Sequence, residues 1–277
     1  MGRDENIEIF EDTEKLCKAN DTLKASIENS RENQKLILEN NLISIKENDL
    51  NKYTTPAKVM VSQKRSFDAA KAYSDKKVCV LNFASASNPG GGVTKGSTAQ
   101  EECLCRCSTL YFSLNTKEMW DGFYSPHRNA GNPLHNDDII YTPDVTVFKS
   151  DTANPTLLPK KDWYKVNVIT CAAPNLRENP SNQMNKDSNK KAQLSEKELL
   201  ELHEKRIKRI LDVAVKEGNE VIILGAFGCG AFQNSPRIVA RAAKNVIQDY
   251  LHAFQVIEFA VYCSCFDQSN YQAFINV

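Results

Sequence analysis

The run Gly90-Gly91-Gly92 is followed, after seven residues, by Gln100-Glu101-Glu102. Adjacent side chains on a helix point about 100° apart, so two neighbouring carboxylates address different atoms of a substrate. One can face a leaving oxygen while the other holds a hydroxyl. Acids in a first helical turn are also common simply because they complement the helix dipole, and a lone Glu pair reads most simply that way. Three consecutive glycines let the backbone approach a ligand closely and take up positive φ. Their N–H groups, with the next helix N-terminus, offer a place for phosphate or developing negative charge. The run lacks the Lys-Ser/Thr ending of a P-loop and the spacing of a dinucleotide fingerprint. By itself it favours a plain strand–helix turn.

A second glycine-rich stretch, Gly225-Ala226-Phe227-Gly228-Cys229-Gly230-Ala231-Phe232-Gln233-Asn234-Ser235-Pro236, joins an apolar strand to a helix whose start is marked by Ser235 and Pro236. Glycines so close to a helix N-terminus suggest a diphosphate cradle. Two phenylalanines in a loop are costly unless they line something, although one of them can be ordinary core. Lys95, inside the first loop, fits either solvent or a phosphate. Cys103, Cys105 and Cys107, like Cys263 and Cys265, show no CxxC spacing, and His127, His135, His203 and His252 are scattered. They read as gap-filling residues, and no metal and no cofactor is expected.

The elements that must position these residues alternate. Ile7, Phe10, Leu16, Cys17, Leu23 and Ile27 are spaced as a helical stripe within a charged stretch from Arg3 to Arg31. Residues 36–38 and 42–45 are short strand-like runs around Asn40-Asn41. Strands follow at 59–61, 78–83, 139–141, 145–148, 166–170, 221–224 and 256–262. Helices fall at 66–73, with Ser66 as cap, at 98–114, 195–217, 236–251 and near Tyr271. Residues 179–191, rich in Asn and Lys, read as a mobile loop. Strands alternating with helices imply a central sheet covered on both faces, with ligands at the carboxyl ends of its strands. Both glycine-rich segments lie at such ends and read as opposite walls of one site.

Composition narrows the partners. Lys plus Arg (35) equals Asp plus Glu (35), so no long-range pull toward nucleic acid or an anionic membrane is expected. No apolar run approaches a membrane span, and Met1-Gly2-Arg3-Asp4-Glu5 is too charged to open a secretory signal. Nine cysteines, an odd number in a chain too long to need staples, point to reduced thiols. The expected compartment is the cytoplasm, or the nucleus in a eukaryote.

The glycine run with its trailing Gln-Glu-Glu resembles the signature of poly(ADP-ribose) glycohydrolases, and VLNFASASNPGGGV with AQEECLCRCSTLY is similar to the microbial type of that family. Residues 125–148, 168–175 and 225–232 resemble the same family, the similarity running from about Thr54 to the C-terminus. The resemblance implies an α/β macrodomain-like mixed sheet sandwiched between helices. A helical extension (1–50) would pack on the glycohydrolase domain (51–277). It makes Glu102 the general acid and Glu101 its ribose-binding neighbour. Asn82, Gln100 and the loop Gly90, Gly91, Gly92, Val93 are placed around the terminal ribose and phosphates. Gly228, Cys229 and Gly230, with Ala231 beside them, would hold the diphosphate, and Phe232 would orient the distal ribose. Ser85 stands where many related macrodomains carry Asn.

The implied activity is hydrolysis of ribose–ribose O-glycosidic bonds in poly(ADP-ribose), mainly from the chain end, releasing ADP-ribose. Hydrolysis of mono(ADP-ribosyl) or O-acetyl-ADP-ribose substrates, and non-catalytic ADP-ribose reading, are the alternatives. Two carboxylates beside bound anions argue against a reader. The implied substrate is poly(ADP-ribose) or ADP-ribosylated protein, with no membrane or sequence-specific nucleic acid partner, and the chain is expected to be a monomer. Glycoside cleavage needs a protonated acid. Burial beside a second carboxylate raises a pKa that a helix N-terminus would otherwise depress.

Overall fold

The computed structural model describes residues 2–183 and 185–277. The charged N-terminal stretch forms two helices, α1 (Arg3–Ala19) and α2 (Asp21–Glu32), rather than one stripe. Asn20 divides them: its extended backbone ends α1, and its Oδ1 accepts the Leu23 N–H at 3.2 Å as the cap of α2. Only one of the two strand-like runs that follow pairs. β1 (Lys35–Ile37) lies antiparallel to residues 139–141, whereas residues 42–45 form no strand and Leu42 is 96% exposed. The first 50 residues thus contribute an edge strand to the sheet as well as helices.

After α3 (Glu47–Leu50) come β2 (Lys58–Ser62) and α4 (Ser66–Lys71). The cap position of α4 is Arg65, not Ser66, whose hydroxyl instead accepts from Gln100 Nε2 at 3.0 Å. β3 (Val78–Phe83) leads through the glycine loop to α5 (Gln100–Cys107) and α6 (Leu110–Leu114). The periodicity predicts one helix here. The break arises because the Cys107 carbonyl accepts the N–H groups of Phe148 and Lys149, and Ser108 turns extended. Short helices α7 (Lys117–Met119) and α8 (Ser125–Ala130) flank a π turn at Trp120–Tyr124. The two strands expected between 139 and 148 are one, β4 (Ile139–Val147), bulged between Thr142 and Val145 with Asp144 at φ 56°. β5 (Tyr164–Cys171), α9 (Glu196–Lys216, capped by Ser195 and Glu198), β6 (Val221–Leu224), α10 (Pro236–Ile247), β7 (Val256–Ala260) and α11 (Ser269–Phe274) complete the chain.

The seven strands form one mixed sheet in the order β1-β4-β5-β3-β6-β7-β2. β5, β3, β6, β7 and β2 are parallel, and β4 runs against both its neighbours. Period-2 alternation buries both faces. Leu81, Ile222, Leu224, Ile257 and Phe259 pack with Ile207, Ile210 and Leu211 of α9. Val80, Ile223 and Val168 pack on the other face with Phe67, Leu104 and Leu110. α1 braces the side of the first glycine loop: Arg3 Nε donates to Lys95 O at 2.7 Å, and Thr13 Oγ1 to Arg106 O at 2.6 Å.

Candidate active site

A cavity of about 340 Å³ opens at the carboxyl ends of the parallel strands, where an α/β sheet places its ligands. Its walls include Gly91, Gln100, Glu101 and Glu102 on one side and Gly228, Gly230, Ala231 and Phe232 on the other. The two glycine-rich segments are therefore opposite walls of one site.

The carboxylates sit in the first turn of α5, 2% (Glu101) and 7% (Glu102) exposed. Glu101 Oε2 accepts the Ser85 N–H at 2.7 Å and Oε1 accepts Asn82 Nδ2 at 3.3 Å. Glu102 Oε1 accepts the Gly92 N–H at 2.8 Å, while Glu102 Oε2 is buried and has no partner among the described residues. Burial raises Glu101 well above the usual carboxylate range, and the neighbouring Glu102 adds to this; burial also raises Glu102. The hydrogen bonds point the other way for Glu101, because donors on both of its oxygens favour the ionised form. Glu102 Oε2 is the oxygen of the pair left without a donor. Gly91 makes the packing possible: at φ 58°, a Cβ here would stand 2.5 Å from Glu102 Oε1.

On the facing wall Gly228 takes φ 77°, and a Cβ there would meet Asn234 Nδ2 at 2.6 Å. That amide ties the loop together by donating to Pro174 O at 2.7 Å and Gly228 O at 3.0 Å, while Asn234 Oδ1 bonds His203 Nε2 at 2.9 Å. Gly230 faces open space. The Phe232 ring borders the cavity yet belongs to the core cluster under α9 and α10, 5.7 Å from the His135 ring. It is thus both lining and core. Phe227 is core alone, 1% exposed.

Two residues expected to bind substrate have their amides turned to the protein. Asn82 is fully buried behind Glu101, its Nδ2 shared between Glu101 Oε1 and Thr170 Oγ1, and so positions the carboxylate. Gln100 borders the cavity, but its amide is committed to Phe83 N–H, Leu81 O and Ser66 Oγ, stitching α5 to β3 and α4. Gly90, Gly92 and Val93 serve from behind Gly91, Val93 being buried, and Cys229 is half-buried with its thiol toward Phe227 O. Lys95 is exposed and off the cavity wall.

The sequence reading missed Arg65, Ser66, Asp151, Asn185, Tyr262 and Asn270, all on the wall. Arg65 follows β2 and Tyr262 follows β7, so the strand-end rule alone could have found both. The Arg65 guanidinium lies 4.3 Å from the Tyr262 ring centroid and donates to Cys103 Sγ at 3.2 Å. Cys103 is therefore held by Arg65 and, at 3.3 Å, by Arg106, whereas Cys105 and Cys107 fill core gaps. Among the described residues no group of three or more His, Cys, Asp or Glu could hold a metal ion, and no helix is long and apolar enough to cross a membrane.

Residues 4–150, just over half of the chain, match the family model described as "Microbial-type PARG, catalytic domain". That match begins well before Thr54, so the likeness reaches into the N-terminal helices. Among solved structures, poly(ADP-ribose) glycohydrolase from Thermomonospora curvata is 26% identical over 98% of both chains, with a TM-score of 0.82. The same enzyme bound to the inhibitor ADP-HPD aligns over 98% of both chains at 26% identity and a TM-score of 0.80. Poly(ADP-ribose) glycohydrolase from Deinococcus radiodurans in complex with ADP-ribose is 29% identical over 90% of this chain and 95% of that one, with a TM-score of 0.73. A search of curated protein sequences returned no match.

Proposed function

The chain belongs to the microbial-type poly(ADP-ribose) glycohydrolases, and we propose that Glu102 and Glu101 carry the hydrolysis of ribose–ribose O-glycosidic bonds in it. Its substrate is poly(ADP-ribose), and ADP-ribose is the product it binds and releases. The observation that carries the assignment of roles is the buried, unpartnered Oε2 of Glu102 beside a Glu101 whose oxygens are already held by N–H donors. A shared proton rests on Glu102 Oε2 and passes to the leaving ribose oxygen as the bond to the anomeric carbon breaks. The oxocarbenium-like centre is stabilised by the ionised Glu101, which also holds ribose hydroxyls. Water then adds to the anomeric carbon, and its proton returns to Glu102.

Gly228, Gly230 and Ala231 cradle the diphosphate through backbone N–H groups, and Phe232 orients the distal ribose. Attack mainly from the chain end is supported by the cavity volume, about 340 Å³, at the small end of ligand sites and suited to a single ADP-ribose unit. The enzyme acts as a monomer in this reading.

Incubation with poly(ADP-ribose) and with mono-ADP-ribosylated protein, followed by chromatography, tests the reading. ADP-ribose should accumulate from the polymer, early and without long oligomers. Release from the mono-modified protein alone would move the activity to that substrate. Binding without product would make the chain a reader.

A further inference from the structure

The Asn- and Lys-rich segment expected to be mobile is tied down around residues 185–188. Lys186 N–H donates to Ser87 Oγ at 2.9 Å, and Ser188 N–H to Gly131 O at 2.7 Å. Asp187 bonds His135 Nε2 at 3.1 Å and Asn175 Nδ2 at 2.6 Å. These anchors set the Asn185 side chain, 9% exposed, into the cavity wall that also holds Glu101 and Phe232. Asn185 Oδ1 accepts the Ser85 hydroxyl at 3.1 Å, across 100 residues of sequence. Ser85 Oγ itself accepts the N–H groups of Ser87 and Asn88 at 3.4 and 3.2 Å, which directs its proton away from them and toward the amide oxygen. The Ser85 N–H meanwhile holds Glu101 Oε2. With Oδ1 turned to Ser85, the group left to face the cavity is Asn185 Nδ2, which has no hydrogen-bond partner among the described residues.

We propose that Asn185 is a specificity residue for the distal ribose, its Nδ2 donating to a hydroxyl that Glu101 holds from the other side. The inference rests on the ADP-ribose reading above and deepens it. The Ser85 hydroxyl positions an amide delivered by a distant loop beside the carboxylate that the Ser85 N–H holds. A buried donor of this kind separates ligands by whether they carry the matching hydroxyl.

The test compares ADP-ribose with ADP, which lacks the distal ribose, by calorimetric titration of the full chain. Asn185→Ala should weaken ADP-ribose about tenfold, the scale of one lost hydrogen bond in a buried site, and leave ADP within about twofold. Asn185→Asp keeps the size and the acceptor for Ser85 but turns an acceptor toward Glu101. It should weaken ADP-ribose further, again without touching ADP. Equal losses for the two ligands would show that Asn185 only holds the loop, and unchanged ADP-ribose affinity would show that Nδ2 meets no substrate atom. Either result overturns the inference. Wild-type hydrolysis of poly(ADP-ribose) is measured separately, and its absence would strike the proposed activity alone.

Discussion

Gly91→Ala tests whether the carboxylate pair works only at its present spacing. The new methyl group would stand 2.5 Å from Glu102 Oε1 and 3.1 Å from Glu101 Oε2, where ordinary contact begins at 3.4 Å. Glu102 must therefore retreat by about 0.9 Å, breaking its 2.8 Å bond from the Gly92 N–H. A misplacement near 1 Å costs roughly 100-fold in rate, so single-turnover release of ADP-ribose should fall about that much. The residue also sits at φ 58°, where an alanine loses about 1–2 kcal/mol, visible as a few degrees in melting temperature. Gly218→Ala separates the two effects. That glycine is equally left-handed (φ 72°), but its added Cβ would meet nothing closer than Lys77 Nζ at 3.9 Å. It should share the loss of stability and keep the rate. Gly91→Ala turning over within about threefold of wild type would refute the reasoning, because the carboxylates would then tolerate displacement.

Glu102→Gln should retain ADP-ribose affinity and lose about 10²–10⁴-fold in turnover. In the wild type, where burial raises both carboxylates, the rate should fall as pH rises through that raised value and the proton is lost; a rate climbing steadily with pH across neutrality would remove Glu102 as the acid. Phe232→Ala should lower melting and turnover together, since the ring is core and lining at once. About 3 kcal/mol is expected, the low end for a truncated phenylalanine because one face borders the cavity, and unchanged turnover in the folded variant would make Phe232 a packing residue only. His203, wholly buried against Asn234, has its pKa lowered by burial to about 4 from 6.5. The unfolded chain binds the extra proton between those values, so stability is full above 6.5 and falls as pH drops toward 4, by about 3 kcal/mol in all. Denaturant titrations of His203→Gln should show a flatter acid limb, and an unchanged limb would mean that another group sets it.

The fold was legible wherever burial imposes a period. Residues 78–83 and 221–224 read as buried strands because both sheet faces are covered, and the strands stand where the apolar runs do. Boundaries failed where one tertiary contact overrides the local pattern. No periodicity announces that the Cys107 carbonyl will serve two N–H groups after β4 and end α5 there. Nor does a helical stripe reveal that Asn20 caps one helix while terminating another.

The site divides along the same line. The loop 225–232 carried its own signal, because glycines beside a helix N-terminus and phenylalanines in a loop are costly unless they line something, whereas Gly90-Gly91-Gly92, Glu101 and Glu102 became legible only through their joint spacing and its resemblance to the family signature. Asn82 and Gln100 were expected as ligand contacts only through that resemblance, yet their amides are spent on Glu101, Thr170, Leu81, Phe83 and Ser66. A side-chain amide beside a buried carboxylate has two ways to be satisfied, and sequence does not distinguish substrate from protein. Asn185 shows the converse. It lies in a polar stretch with no period and reaches the site only because Asp187 meets His135 and Asn175 while Lys186 meets Ser87. The bonds to His135 and Ser87 span 52 and 99 residues, so no local window contains both of their partners. The residues proposed to meet the ligand and those that hold the carboxylate pair are therefore drawn from the same polar types. What separates them is the count of hydrogen bonds the protein has already made to each, and that count exists only in the fold.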